Sequence, residues 1–441
     1  MEKMKTKNKI IAMVEIAIVL CSVFLVAIPA IAAEQNQEMQ KATANTITRA
    51  SGDDFVLGIY GNANEDDTID MRDLTYVKLI FFGKKPVTKL ADAKYDGKIN
   101  PLDFIQIKLI IVGKEKELTF VDTIGRDITV EYPLERVAVL NAGAGAVITA
   151  LGAEDKVVGA TKQALTLPET AKAFEGVPSL GTIMHPSLET TIEVDPQVVF
   201  AFAACPGARG VATKFADDLA YYDIPVAFFS FLPDMDTIRS DTMTMGWLFN
   251  EQEKAEEYIE FFEKQYNIIE ERTKDLSEDE KKRVYMENLD YQVAYYMYQM
   301  ITIAGGSDIA AGVVTPDRHV KVAPEWVVKQ NPEIILSRNM QVMINLGHGK
   351  TDEEAAQEIL AEIKSRPGWS EIDAVKNDNV YLFSLEMATL RAPIGVIYMS
   401  KMFYPERFED VNPDEILREY LDQFYGIKEI PEGILIYPYP W

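Results

Sequence analysis

The spacing of apolar positions changes several times along the chain, and each change marks a boundary. From Ile10 the chain is apolar without a period up to Ala30-Ile31-Ala32, and Lys3, Lys5, Lys7 and Lys9 precede that run. This predicts an export segment over residues 1–33, either cleaved after Ala32 or kept as an N-terminal anchor. Residues 34–54 carry no apolar period and are rich in Gln, Thr, Asn and Ala, the composition of a flexible linker. Two short helical periods follow within residues 55–117. From Thr119 apolar strands alternate with amphipathic helices: Arg136–Asn141, Val198–Ala203 and Val226–Phe231 in one set, and Val284–Glu287, Ile334–Ser337 and Val380–Ser384 in another.

Between the two sets lies Asn250 to Asp275, free of proline and glycine. Ala255, Ile259, Phe262, Tyr266 and Ile269 recur on one helical face, and Asn250 followed by Glu253 has the form of a capping box. One helix is predicted, spanning roughly 36 Å at 1.5 Å per residue. Its length suits a rod joining two α/β lobes. The predicted fold class is therefore α/β: lobes over residues 119–235 and 283–441, bridged by a helical segment over 236–282 and preceded by a small all-α module.

The chain has 441 residues, with 69 Asp plus Glu against 44 Lys plus Arg. That acidic excess argues against a nucleic-acid partner, whose phosphates it would repel. Once the export segment is removed Cys205 is the remaining cysteine, which excludes an internal disulfide and a cysteine metal cluster. His185, His319 and His348 are too few and too scattered for a bare-metal centre. No GxSxG elbow, HExxH helix or Walker loop is present, so no enzymatic activity is expected. Asn141 to Gly145 follows a strand but lacks the third glycine of a dinucleotide loop.

The small module is a duplication. Residues 62–84 align without gaps on residues 92–114, so that Asp66, Asp73 and Gly83 recur as Asp96, Asp103 and Gly113. The first copy places Asn62, Asn64, Asp66, Asp70 and Asp73 at loop positions 1, 3, 5, 9 and 12, an EF-hand-like spacing of hard oxygen donors for Ca2+. The second offers Asp92, Asp96, Asn100 and Asp103, with Lys94 where an oxygen donor belongs and Gly97 at the turn that Asp67 occupies in the first. This pair of loops and helices, ending in Asp at position 12, resembles a dockerin module. The resemblance implies Ca2+ in one or two sites and a cohesin-like protein partner held by the helices Leu74–Phe82 and Phe104–Val112.

The lobes share a phrase. Pro186-Ser187-Leu188-Glu189 leads to Asp195-Pro196 and an apolar strand, and Pro324-Glu325 leads to Asn331-Pro332 and another. In both, a short helix, a turn and a buried strand are predicted. Together with GRDITVEYPLERVAVL, ALGAEDKVVGA, RPGWSEIDAVKNDNVYLF and PERFEDVNPDEILREYL, these segments resemble, in order, the iron-complex and cobalamin periplasmic binding proteins that serve ABC importers of siderophores, haem and corrinoids. The resemblance implies two lobes around a shallow cleft, capture of a metal chelate outside the cytoplasm, and docking on the permease through Glu189 and Glu325. The polar candidates for the cleft are Asn141, Arg209, Tyr291, Arg338 and Arg391, with Phe231, Tyr295 and Met340 as packing surfaces. Arginine suits the carboxylates of a chelate because its guanidinium offers parallel donors. The alternative reading is a scaffolding or adhesion protein that works through the dockerin-like module, its lobes binding another protein or a polysaccharide.

Overall fold

The computed structural model describes residues 55–316 and 318–441. The predicted export segment and linker lie outside the described residues. The described residues divide into two compact units, one formed by residues 55–56 and 60–114 and the other by residues 57–59 with 115–441.

In the first unit the duplicated sequence becomes two helices, Met71–Phe81 and Pro101–Ile111. Each begins with a capping box. Asp70 and Asn100 accept first-turn amides, while Asp73 and Asp103 reach back to the cap residue's own N–H. Gly83 and Gly113, at φ +64° and +61°, follow the last turns in the left-handed conformation that glycine adopts without strain. Val77, Ile80, Ile107 and Ile110 are buried. Met71, Phe82, Leu102 and Ile105 are exposed.

The second unit holds two parallel sheets with the same strand order. In the first lobe Val157–Ala160, Val137–Val139, Val198–Phe202 and Val226–Phe229 lie side by side, all parallel. In the second lobe Ser307–Asp308, Arg283–Glu287, Ile334–Ser337 and Val380–Phe383 repeat that order, and Ile436–Tyr437 adds an antiparallel edge. These strands are short apolar runs because helices cover both faces of a parallel sheet. Each lobe has its own core, around Phe215 and Phe228 in the first and around Tyr285 and Trp369 in the second. The shared phrase is a shared structure. Glu189 and Glu325 sit in the first turns of Leu188–Glu193 and Pro324–Gln330. Asp195 and Asn331 both turn left-handed, at φ +46° and +48°, to lead into the next strand.

The bridge departs from expectation. Asn250 does not start the long helix; it ends an earlier one, Met235–Phe249, in the left-handed conformation at φ +59°. The long helix itself is Gln252–Thr273, and its N-cap residue, Glu251, makes no side-chain cap bond. A short polar side chain tolerates the left-handed region, so asparagine serves at the end of a helix as readily as at its start. The two helices fold back on each other at Gly246, where an added Cβ would lie 2.6 Å from the Ala255 methyl. The bridge is therefore a helical hairpin. Phe261 and Tyr258 pack their rings against Phe424, on the helix Pro413–Tyr425, at centroid distances of 5.5 and 5.0 Å. Among the described residues no helix is long and apolar enough to cross a membrane.

Asp308 is buried on an edge strand, with the Ala310 amide donating to its Oδ1 at 2.8 Å. Burial pushes its carboxyl up from 3.8 to about 7. The folded value lies above the unfolded one, so its stabilisation is complete below the unfolded value and is lost as pH rises through about 7. Urea unfolding should show stability falling between pH 5 and pH 8, by up to about 1.4 kcal/mol per unit from this group. Asp308→Asn should remove that slope and be the more stable protein at pH 8.

Candidate ligand-binding cleft

Parallel α/β sheets present ligand sites beyond the carboxyl ends of their strands. Here the two sheets face such ends toward one another. Between them lies a cavity of about 560 Å³ with mostly apolar walls.

In the first lobe Asn141 follows the strand Val137–Val139. Its Oδ1 accepts the Gly143 amide at 2.8 Å and so caps the helix Ala142–Ala150. Phe231 follows the strand Val226–Phe229 with φ +46°, a conformation an aromatic residue adopts only when its surroundings hold it. The holder is Asp241. Its buried carboxylate accepts the amides of Ser230 and Phe231 at 2.9 and 2.8 Å and the Thr123 hydroxyl at 3.1 Å. Burial pushes this carboxyl up to about 6.

The second lobe repeats the device with different chemistry. Tyr291, at φ +58°, donates its amide to the buried Glu287 at 3.1 Å. Arg338 follows the strand Ile334–Ser337, is 5% exposed and lines the cavity. Its Nη2 donates to Asn288 Oδ1, whereas Nε and Nη1 are buried without a hydrogen-bond partner. His319, on the same wall, meets the Asn288 amide at Nδ1 (3.3 Å) and has a buried, unpartnered Nε2. Burial, then the Arg338 charge, holds its imidazole below the usual range.

The structure separates the predicted cleft residues into two groups. Asn141, Phe231, Arg338 and Met340 line the cavity. Arg209, Tyr291, Tyr295 and Arg391 do not. Tyr291 instead lies under the Arg366 guanidinium and meets the Trp369 ring edge-on. Arg391, 2% exposed, turns under the cavity floor and joins the lobes: its Nε pairs with the buried Glu169 of the first lobe and its Nη1 with Glu386 at 3.1 Å. A buried guanidinium needs a carboxylate, and a neighbouring lobe supplied one. Asn288, Gln292, Tyr296, His319 and Cys205 also line the cavity and are absent from the predicted set. Asn288 was detectable, because it follows the first strand of its lobe as Asn141 does. Glu189 and Glu325 are both exposed.

In the first unit the predicted calcium donors are gathered within their loops. Asp73 accepts the amides of Asn64 and Asp70 at 3.1 and 2.8 Å, and Asp103 those of Lys94 and Asn100 at 3.0 and 2.7 Å. Burial first, then neighbouring carboxylates, pushes both acids up to about 6. Asp92 and Asp103 stand within hydrogen-bonding reach of each other. In the first loop Arg72 bridges Asp66 and Asp70 at 3.0 and 2.9 Å. Among the described residues no three His, Cys, Asp or Glu side chains form a metal cluster. The further donors of these loops are the amide oxygens of Asn62, Asn64 and Asn100.

A family model described as periplasmic binding protein matches residues 137–384, which span both lobes and the bridge. The chain belongs to the periplasmic binding protein family. This binding protein is similar to the molybdate-binding protein MolA of Haemophilus influenzae, 22% identical over 356 residues that cover 74% of this chain and 93% of that one. It is also similar to YvrC of Bacillus subtilis, an uncharacterised ABC transporter substrate-binding lipoprotein, 25% identical over 335 residues covering 73% and 96%. Among solved structures, MolA bound to molybdate superposes with a TM-score of 0.58 at 20% identity, covering 71% of this chain and 99% of that one. FepB of Veillonella parvula gives 0.56 at 22%, covering 72% and 98%. At such identities these likenesses establish a common fold.

Arg391→Ala in this binding protein would leave Glu169 buried and unpaired. A loss of about 3–5 kcal/mol is expected in urea unfolding of the full chain. Replacing both residues by methionine should recover most of that loss, because the fully buried Glu169 charge is then gone and Glu386 keeps the His348 amide as a partner.

Proposed function

We propose that the protein is the extracytoplasmic substrate-binding component of an ABC importer and captures a metal chelate with an apolar body and one anionic edge. The observation that carries this reading is Arg338, a guanidinium on the wall of a mostly apolar cavity whose buried Nε and Nη1 have no hydrogen-bond partner. A buried guanidinium in that state is a site for a carboxylate or another planar anion. A cavity of about 560 Å³ leaves room beyond a small oxyanion for a ligand body that the apolar wall would cover. Ferric siderophores, haem and corrinoids have that character. Glu189 and Glu325, exposed at equivalent places in the two lobes, are the charges offered to the permease. The family membership and the relative named as a substrate-binding lipoprotein support the transport role.

Calorimetric titration of the full chain with cobalamin, cobinamide, haem, ferric siderophores and molybdate tests the cargo. One chelate should bind in a single saturable step, and Arg338→Met should weaken it at least tenfold, the effect of losing a charge-assisted hydrogen bond of about 1.5–3 kcal/mol. Binding of molybdate with silence from every chelate would sink the chelate class. Charge reversal at both Glu189 and Glu325 should stop uptake and leave cargo affinity unchanged; weakened cargo binding would remove their docking role.

The loops of the first unit are proposed to hold Ca2+, supported by their oxygen donors and by facing carboxyls with raised values at Asp73 and Asp103. The exposed apolar positions of its helices would then meet a cohesin-like protein. Calcium titrated into the chelator-treated full chain at pH 7.5 should release heat and raise the first unit's melting temperature. Asp73→Asn with Asp103→Asn should abolish both effects. Affinity should fall as pH drops through about 6, because protonated Asp73 and Asp103 no longer offer charge.

A further inference from the structure

Arg338 lines the cavity with two buried donors, Nε and Nη1, that have no hydrogen-bond partner, and its guanidinium is held by Asn288 and by the Tyr296 ring, whose centroid lies 5.7 Å away. Its backbone amide donates to the Glu287 carbonyl at 3.0 Å, and its Nη2 to Asn288 Oδ1. The preceding residue, Ser337, donates its hydroxyl to Glu287 Oε1 at 2.6 Å. These three hydrogen bonds converge on residues 287 and 288. Glu287 is fully buried at the end of the strand Arg283–Glu287, and its carboxylate also accepts the amide of the left-handed Tyr291.

That carboxylate is neutralised by Arg366. Arg366 Nη1 reaches both Glu287 oxygens at 3.0 Å, and Nη2 reaches Asp290 at 2.7 Å. The guanidinium lies 4.8 Å from the ring centroids of both Tyr291 and Trp369. A cation clamped on two rings and two carboxylates of one loop is a rigid brace. Arg366 is absent from the cavity wall.

We infer that Arg366, through Glu287, is the positioning residue that aims Arg338 at the cargo. The inference rests on the cleft reading above and deepens it, since it adds a residue outside the cavity to the anion site. Without the brace, Glu287 would need another partner. Ser337 and Tyr291 would lose their common anchor, the strand ends that carry Asn288 and Arg338 would loosen, and the Arg338 guanidinium would turn away from the wall it shares with His319.

His319 reports on this without any cargo. The full chain, labelled with 13C at histidine Cε1, gives resonances for His185, His319 and His348 that can be titrated by NMR, with His319→Gln assigning the relevant one. Arg338→Met should raise the His319 midpoint on the order of half a pH unit, because a neighbouring cation has been removed. Arg366→Lys keeps a charge but loses the two-pronged contact, and should reproduce most of that rise while His185 stays fixed. Arg366→Met combined with Glu287→Gln leaves no charge buried alone and should behave in the same way, so a folding defect in one variant does not end the test. A His319 titration unchanged from wild type in either folded Arg366 variant overturns the inference. Because no cargo is used, a wrong cargo class in the reading above leaves this result standing.

Discussion

A buried guanidinium joins the two lobes. Arg391 enters from the second lobe, pairs with Glu169 of the first, and is held in turn by Glu386, all beneath the cavity floor. Glu386 also accepts the His348 amide at 2.9 Å, so the pairing extends to the rim strand Gly347–His348. An ion pair this deep stabilises little in net terms, since desolvating both charges offsets their attraction. Its effect is geometric, because any opening of the floor would separate two buried charges.

Within this frame the lobes are alike in topology and unlike in chemistry. Both sheets place their strands in the same order, and both hold a left-handed aromatic residue through a buried carboxylate, Asp241 for Phe231 and Glu287 for Tyr291. Only in the second lobe is that carboxylate matched by an arginine, and there the strand end carries Arg338 into the cavity. The first lobe meets it with Phe231, Phe202 and Cys205. Asn141, Gln163 and Ser230 of the first lobe and Met340, Met343 and Leu385 of the second complete a wall that is mixed on both sides.

Much of the fold was legible from residue order. Strands such as Ile334–Ser337 and Val226–Phe229 appear as short apolar runs because a parallel sheet buries both faces, and the paired Glu-to-Pro spacing marked the lobes as repeats. The bridge was legible as helical but not as a hairpin. Asn250 suits either end of a helix, and the close approach at Gly246 depends on a contact with Ala255 across the turn. The cleft was legible in part. Arg338 and Arg391 look alike in sequence, each beside a strand or helix end, yet one faces the cavity and the other a carboxylate more than two hundred positions away.

What the sequence determined by itself is local: the period of each element, the duplicated loops with their oxygen donors, the rim glutamates, and the order of segments that identifies the family. Those properties depend on neighbours within about one turn or one strand, where sequence spacing translates directly into geometry. Tertiary structure alone decided which charged side chains are neutralised and which stay available. Arg391 and Arg366 are satisfied by Glu169 and Glu287, from distant parts of the chain, and Arg338 on the cavity wall is left with two donors that have no partner. A charge's role depends on what surrounds it after burial, and no spacing along the chain encodes that.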